Sequence, residues 1–145
     1  AAFAGRNLPV EVVVQRTPEV IAAAAACVAV SGSVGLELMA RHVPTVVIYR
    51  MNGLMLRLVR RLVKVRWMSL VNLLAGEEIY PEYATSGTDP GPVVGPVLKW
   101  LTDPAAHAAT VAKLRALTAK VAVPGACDRA ADFLLDRLGA TRRAA

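Results

Sequence analysis

The chain has 145 residues, 55% of them hydrophobic, and a formal charge of +6. That is long enough for one domain with a real core and too apolar for a disordered chain. Its longest apolar run, Val20 to Val30, falls short of the roughly 18 residues a membrane span needs, and its two cysteines, Cys27 and Cys127, lack metal-type spacing and read as buried, reduced thiols. His42 and His107 have no ligand pattern around them and read as ordinary residues. In chain order, Val10-Glu-Val-Val-Val14 is a β-branched run after Pro9 and predicts a buried strand. Thr17-Pro18-Glu19 predicts a helix start, with Thr17 as the cap, Pro18 in the first turn and an acid beside the dipole. That helix is expected to run to about Ala26. Cys27 to Val30 is the next strand, Ser33 to about Arg41 a helix that His42-Val43-Pro44 breaks, and Thr45 to Tyr49 a third strand.

Strands and helices that alternate over short links argue for a parallel sheet with right-handed crossovers. The fold class expected is α/β, a Rossmann-like parallel sheet flanked by helices with a helical C-terminal segment. In such sheets ligands bind at the carboxyl ends of the strands. Ser31-Gly32-Ser33 lies at one such end, between a strand and a helix. The turn is either a plain helix start or an anion seat, because early helix amides lack internal partners and glycine lets a phosphate approach closely. Glu37 stands about one turn further on, within reach of a ribose hydroxyl pair, and Arg50 ends the next strand.

Asn52-Gly53 opens a helix expected to reach Val65. Leu54, Leu58, Leu62 and Val65 share one face, and Arg57, Arg60, Arg61 and Lys64 share another. The basic face is either simply solvated, with the helix packed on the sheet, or faces an anionic membrane or phosphorylated lipid. Trp67 and Met68 follow at its rim. Met68 to Asn72 predicts a fourth short strand that places Asn72 at another carboxyl end, with Glu77, Glu78 and Glu82 nearby. The stretch from Ala84 to Pro92 reads as a loop. Helices then follow over about Val93 to Leu101, from Asp103-Pro104 to about Val121, and from about Ala126 to Leu138 with Gly139 as its cap. Trp100, Leu114, Leu117, Phe133 and Leu134 are the expected packing residues. No repeat or linker divides the chain.

Four blocks carry a resemblance: Val30-Ser-Gly-Ser-Val-Gly-Leu-Glu37, Pro44-Thr-Val-Val-Ile-Tyr-Arg-Met51, Arg61-Leu-Val-Lys64, and Ser69-Leu-Val-Asn-Leu-Leu-Ala-Gly76 with Pro81-Glu82. Together they resemble the C-terminal half of lipid-A-disaccharide synthases, over about Val10 to Glu82. The resemblance implies half of a GT-B fold, with residues 1–145 as the UDP-sugar-binding domain of a longer protein. An acceptor-binding N-terminal domain, holding the catalytic base, would lie outside this chain. The reaction implied joins UDP-2,3-diacylglucosamine to 2,3-diacylglucosamine 1-phosphate, a phosphorylated glycolipid acceptor, without metal or other cofactor. It is expected at the cytoplasmic face of the inner membrane, on a peripheral protein with an anionic membrane surface as partner, no nucleic acid, and room for a homodimer.

By this resemblance Ser31, Gly32 and Ser33 cradle the diphosphate, Glu37 holds the ribose, and Tyr49 and Glu82 line the UDP-sugar site. Arg50 and Asn72 are the expected catalytic residues, and Arg57, Arg60, Arg61 and Lys64 the lipid-facing ones. The sequence departs from the family in having Ser33 for the usual threonine, Val71 for the usual proline, and no glutamine after Pro81-Glu82. Two other readings stand beside this one: a GT-B transferase for another UDP-sugar, and a non-catalytic α/β module that docks on anionic membranes through the basic helix.

Overall fold

A computed structural model describes residues 9–62 and 64–143; the side chains of residue 60 and of residues 140–143 lie outside that description. The order is α1 (Thr17–Ala23), β1 (Cys27–Val30), α2 (Val34–Ala40), β2 (Thr45–Arg50), α3 (Gly53–Leu62), α4 (Leu70–Ala75), β3 (Glu82–Thr85), α5 (Gly91–Thr102), α6 (Pro104–Val121) and α7 (Ala126–Arg143). The three strands form one parallel sheet in the order β1-β2-β3. The fold class is the α/β one the alternating pattern predicts, helical C-terminal segment included.

Helix ends follow local chemistry. The Asp103 carboxylate accepts from the Ala105 and Ala106 amides (2.9 and 3.1 Å), and Pro104 supplies a ready-made helical φ, so α6 starts there. At the end of α2, His42 takes a left-handed φ of 59°. Its amide bonds to the Met39 carbonyl and that of Val43 to the Leu38 carbonyl, the paired bonds of a Schellman ending, and Val43 packs on Leu38.

The core lies on one face of the sheet. Val47 of β2 meets Met39 of α2, Val71 of α4, Ile79, Tyr80, and Leu114 and Leu117 of α6. The Thr118 hydroxyl donates to the Met39 carbonyl (3.1 Å), and His107 bonds to the Ala25 carbonyl (3.0 Å), which ties α6 across α2 and the end of α1. On the opposite face α5 packs against β1 and β2, with Trp100 buried and its indole donating to Thr110 (3.1 Å).

Several local expectations give way. Val10 to Val14 forms no strand and lies exposed. A β-branched run becomes a strand only when a neighbour completes its hydrogen bonds, and among the described residues none pairs with it. Met68 to Asn72 is not a strand either: Ser69 caps a helix, accepting from the Asn72 amide (3.3 Å), and Gly76 closes it at a φ of 71°. The third strand is instead Glu82–Thr85, partly inside the stretch read as a loop, because β2 offers it a ladder. Helix α1 stops at Ala23, while α7 runs past Gly139, which is no cap. Cys27 is half-buried, but Cys127 is exposed, as are Phe133 and Leu134. Leu54, Leu58, Leu62 and Val65 do not pack on the sheet; α5 packs against β1 and β2, and of its described side chains α3 turns only Leu56 and, in part, Val59 inward.

Tyr80, fully buried, donates its hydroxyl to the Val43 carbonyl (3.1 Å), which also accepts from Thr45 (2.9 Å). Burial pushes its phenol well above the ordinary value of 10.0. A folded-state value above the unfolded one contributes stability that is complete below about pH 10 and falls as pH rises further. Tyr80→Phe should cost about 1 kcal/mol at pH 7, since Val43 keeps its second donor. It should also flatten the alkaline fall, which denaturant titrations at pH 7 and above pH 10 would measure.

Candidate functional site

The parallel strands bring Ser31, Arg50 and Thr85 to one edge, since Val30 is paired with Ile48, and Arg50 with Thr85. Just inside that edge a cavity of about 20 Å³, room for about one water, is lined by Ser31, Gly32, Leu36, Ser69, Val71 and Tyr80 among others. The turn after β1 is exposed. Ser33 does not cap α2 with its side chain, and the first bonds of the helix run from the Gly35 and Leu36 amides to the Gly32 and Ser33 carbonyls. A Cβ added at Gly32 would meet nothing within 4 Å. Packing therefore does not demand glycine here; the space above it is open.

Tyr49 lies on the same sheet face as Val47, beside this turn. Its hydroxyl is buried and makes no well-formed hydrogen bond among the described residues, although the Ser31 hydroxyl and the Glu82 carboxylate are close enough to act on it. Burial raises its phenol above the usual value, and nearby Ser31 and Glu82 act on it in opposite directions, the hydroxyl lowering and the carboxylate raising it. At neutral pH it is thus a protonated donor with no well-formed hydrogen bond among the described residues, which is uncommon for a buried polar atom. Arg50 leaves the strand on the opposite face and is exposed. Glu37 is half-buried on α2, with only a loose ion pair to Arg41 (3.5 Å). Such a partly exposed pair is worth little, so the carboxylate can reorient at small cost.

Asn72 is not at a strand end. It sits on α4, fully buried, with its amide spent on the protein. The Oδ1 atom accepts from the Ile79 and Tyr80 amides (both 2.9 Å), and Nδ2 donates to the Tyr80 carbonyl and to Glu82 Oε1 (both 2.7 Å). Glu82 also accepts from the amides of Met68 (2.8 Å) and Ser69 (3.0 Å). These two residues hold α4, and the start of that helix in turn lines the cavity beside Gly32. The sequence reading missed Ser69 and Leu70 as cavity residues because it placed them in a strand; the Ser69 cap followed three residues later by Asn72 was the available signal. Val71, buried in the first turn of α4, occupies a position where proline is also at home, since early helix amides have no internal partner. Glu77 pairs with Lys113 of α6, away from the edge, and Glu78 is exposed.

Fold and edge together define an α/β Rossmann-like unit with a small-residue turn after β1 and a polar end on β2. Comparison with known proteins narrows this class. A model of the lipid-A-disaccharide synthetase family matches residues 4–117. A lipid-A-disaccharide synthase of Anaeromyxobacter dehalogenans is 38% identical over 132 residues, covering 91% of this chain and 34% of the relative. One of Geobacter sulfurreducens is 31% identical over 137 residues, covering 94% of this chain and 36% of the relative. One of Blochmanniella floridana reaches 49% over 72 residues, 50% of this chain and 19% of the relative. The chain belongs to the lipid-A-disaccharide synthetase family. It spans about a third of the length of the curated relatives that it matches along most of its own length.

Replacing Asn72 with alanine would strand buried groups of Ile79 and Tyr80. At about 1–3 kcal/mol for each buried group left unpaired, Asn72→Ala should lower stability by about 3–5 kcal/mol. A denaturant melt checks this, and a loss under about 1 kcal/mol would mean the amide is not the clamp described.

Proposed function

We propose that this chain is the nucleotide-sugar-binding part of a lipid-A-disaccharide synthase. In the full-length protein the acceptor, 2,3-diacylglucosamine 1-phosphate, attacks UDP-2,3-diacylglucosamine. The acceptor hydroxyl oxygen forms a bond to the donor's anomeric carbon as the bond from that carbon to the diphosphate breaks. The bonding pair leaves with UDP, and the hydroxyl proton passes to a base outside this chain. The observation that carries the reading is the family match across the β1–α2 turn, supported by open space over Gly32 and, at the same edge, a buried Tyr49 hydroxyl with no well-formed hydrogen bond among the described residues.

In this reading the Ser31-Gly32-Ser33 turn receives the diphosphate, with backbone amides and serine hydroxyls as donors. Arg50, exposed at the end of β2, supplies positive charge where the leaving group gains negative charge, and such donors help most in the transition state. Tyr49 offers its hydroxyl proton to an oxygen of the nucleotide-sugar. Glu37 exchanges its weak Arg41 pair for the ribose hydroxyls. Asn72 and Glu82 contribute by position, since their polar atoms already hold α4 against the edge.

Two variants of the full-length protein test this by calorimetric titration with UDP. Gly32→Ala should weaken UDP binding by roughly tenfold while the thermal midpoint stays or rises, because the methyl meets only ligand space and stiffens the unfolded chain. Glu37→Ala should cost roughly 10-fold to 100-fold in UDP affinity, the scale of hydrogen bonds to a charged acceptor. Unchanged UDP affinity in both variants would remove the nucleotide from this edge.

A further inference from the structure

We infer that α3 is an interfacial membrane helix: its exposed leucine stripe enters an anionic bilayer, and the basic residues beside the stripe hold lipid phosphates. The sequence reading packed the leucines on the sheet and left any lipid contact to the basic face. The structure reverses the first half of that. Leu54, Leu58 and Leu62 recur one turn apart and are 78%, 48% and 66% exposed. Met55 widens the stripe and is exposed as well.

The arrangement around the helix has three sectors. At about 100° per residue, Leu54, Leu58, Leu62 and Met55 cover one arc. Val59 and Leu56 come next and face the protein, with Leu56 the buried side chain. Arg57 and Arg61 then bring the circuit back to the edge of the leucine arc, and both are exposed. A cation bordering an apolar arc can lay its stem along the lipid and raise its head to the phosphates. Beyond the end of α3, Lys64 and Arg66 are exposed as well, and Arg66 lies 4.7 Å over the ring of Trp67, a residue type that favours the membrane–water boundary. No carboxylate occurs in the sequence between Glu37 and Glu77, and among the described residues Arg57, Arg61 and Lys64 form no ion pair, while Glu78 and Glu82 line the same cleft as Arg66.

The helix is built to lie on a surface. Its start is capped, with Asn52 Oδ1 accepting from the Met55 amide (2.7 Å). A cleft of about 220 Å³, lined by Val59, Val65, Trp67, Met68, Glu78 and Glu82 among others, lies beside it. Among the described residues no helix is long and apolar enough to cross a membrane. What α3 offers is shallow insertion: a one-sided apolar stripe with a basic border, complementary in both respects to an anionic lipid surface. The inference rests on none of the nucleotide-binding residues and can fail without them.

Flotation with phosphatidylethanolamine–phosphatidylglycerol vesicles, and with phosphatidylcholine vesicles, tests it on this chain and on the full-length protein. Wild type should float with the anionic vesicles and retain part of that binding in high salt. The triple variant Leu54→Ser, Leu58→Ser, Leu62→Ser should lose binding by roughly tenfold or more at both ionic strengths, with its thermal midpoint unchanged because these side chains are exposed. The pair Arg57→Glu, Arg61→Glu should lose binding mainly at low salt, where exposed charges act most strongly. Binding by the serine variant equal to wild type would overturn insertion and leave a purely electrostatic contact. Failure of wild type to bind either vesicle, with a lower thermal midpoint for the serine variant of the full-length protein, would overturn it in favour of a protein segment over the stripe.

Discussion

One buried amide organises the half of the domain that forms the cavity beside Gly32. Asn72 reaches from α4 to the segment before β3 and satisfies two amides and a carbonyl there, together with the Glu82 carboxylate. A short helix such as α4 has little stability of its own. Its place comes from this network and from Val71 in the core. Glu82 extends the effect, because the carboxylate that meets Asn72 also receives the Met68 and Ser69 amides at the start of the helix. The start of α4, the register of β3 and the floor of the cavity beside Gly32 are therefore set together.

The polar groups left over after folding collect at the carboxyl edge of the sheet. The interior bonds of Tyr80 and Thr45 close on the Val43 carbonyl, and those of Asn72 close on its own loop. At the edge, Tyr49 keeps a buried hydroxyl with no well-formed hydrogen bond among the described residues, Gly32 faces open space, and Glu37 holds a loose ion pair. A parallel sheet produces such an edge by construction, because every strand ends there and hands over to a helix start. Family membership turns this general property into a specific proposal, that the edge receives the UDP part of a sugar nucleotide.

The high hydrophobic share of the chain does not all go into the core. A three-stranded sheet with α2, α4 and α6 on one face buries a compact cluster around Val47 and Leu114. Other apolar residues remain outside it, in the Val10–Val14 segment, along α3 and on α7. On α3 they fall on one arc beside cations, and that pairing of a stripe with a basic border separates it from scattered surface leucines.

Local chemistry was enough to read the β1-α2-β2 unit, the turn after β1 and the capped start of α6, because each depends on neighbours in the chain. The blocks around Ser31, Arg50 and Asn72 also sufficed to name the family. Tertiary structure decided the rest. Val10–Val14 has strand composition, but a strand exists only with a partner, and none of the described residues provides one. Glu82–Thr85 has no apolar run, yet it is a strand because β2 completes its hydrogen bonds. The Met68–Asn72 segment could have been extended, but the Ser69 cap and the Asn72 bonds to Ile79, Tyr80 and Glu82 make it helical from Leu70. The amphipathic pattern of α3 was plain in sequence, whereas which arc meets the protein was not. Periodicity specifies the faces of a helix; only the space left beside the sheet specifies which one is buried.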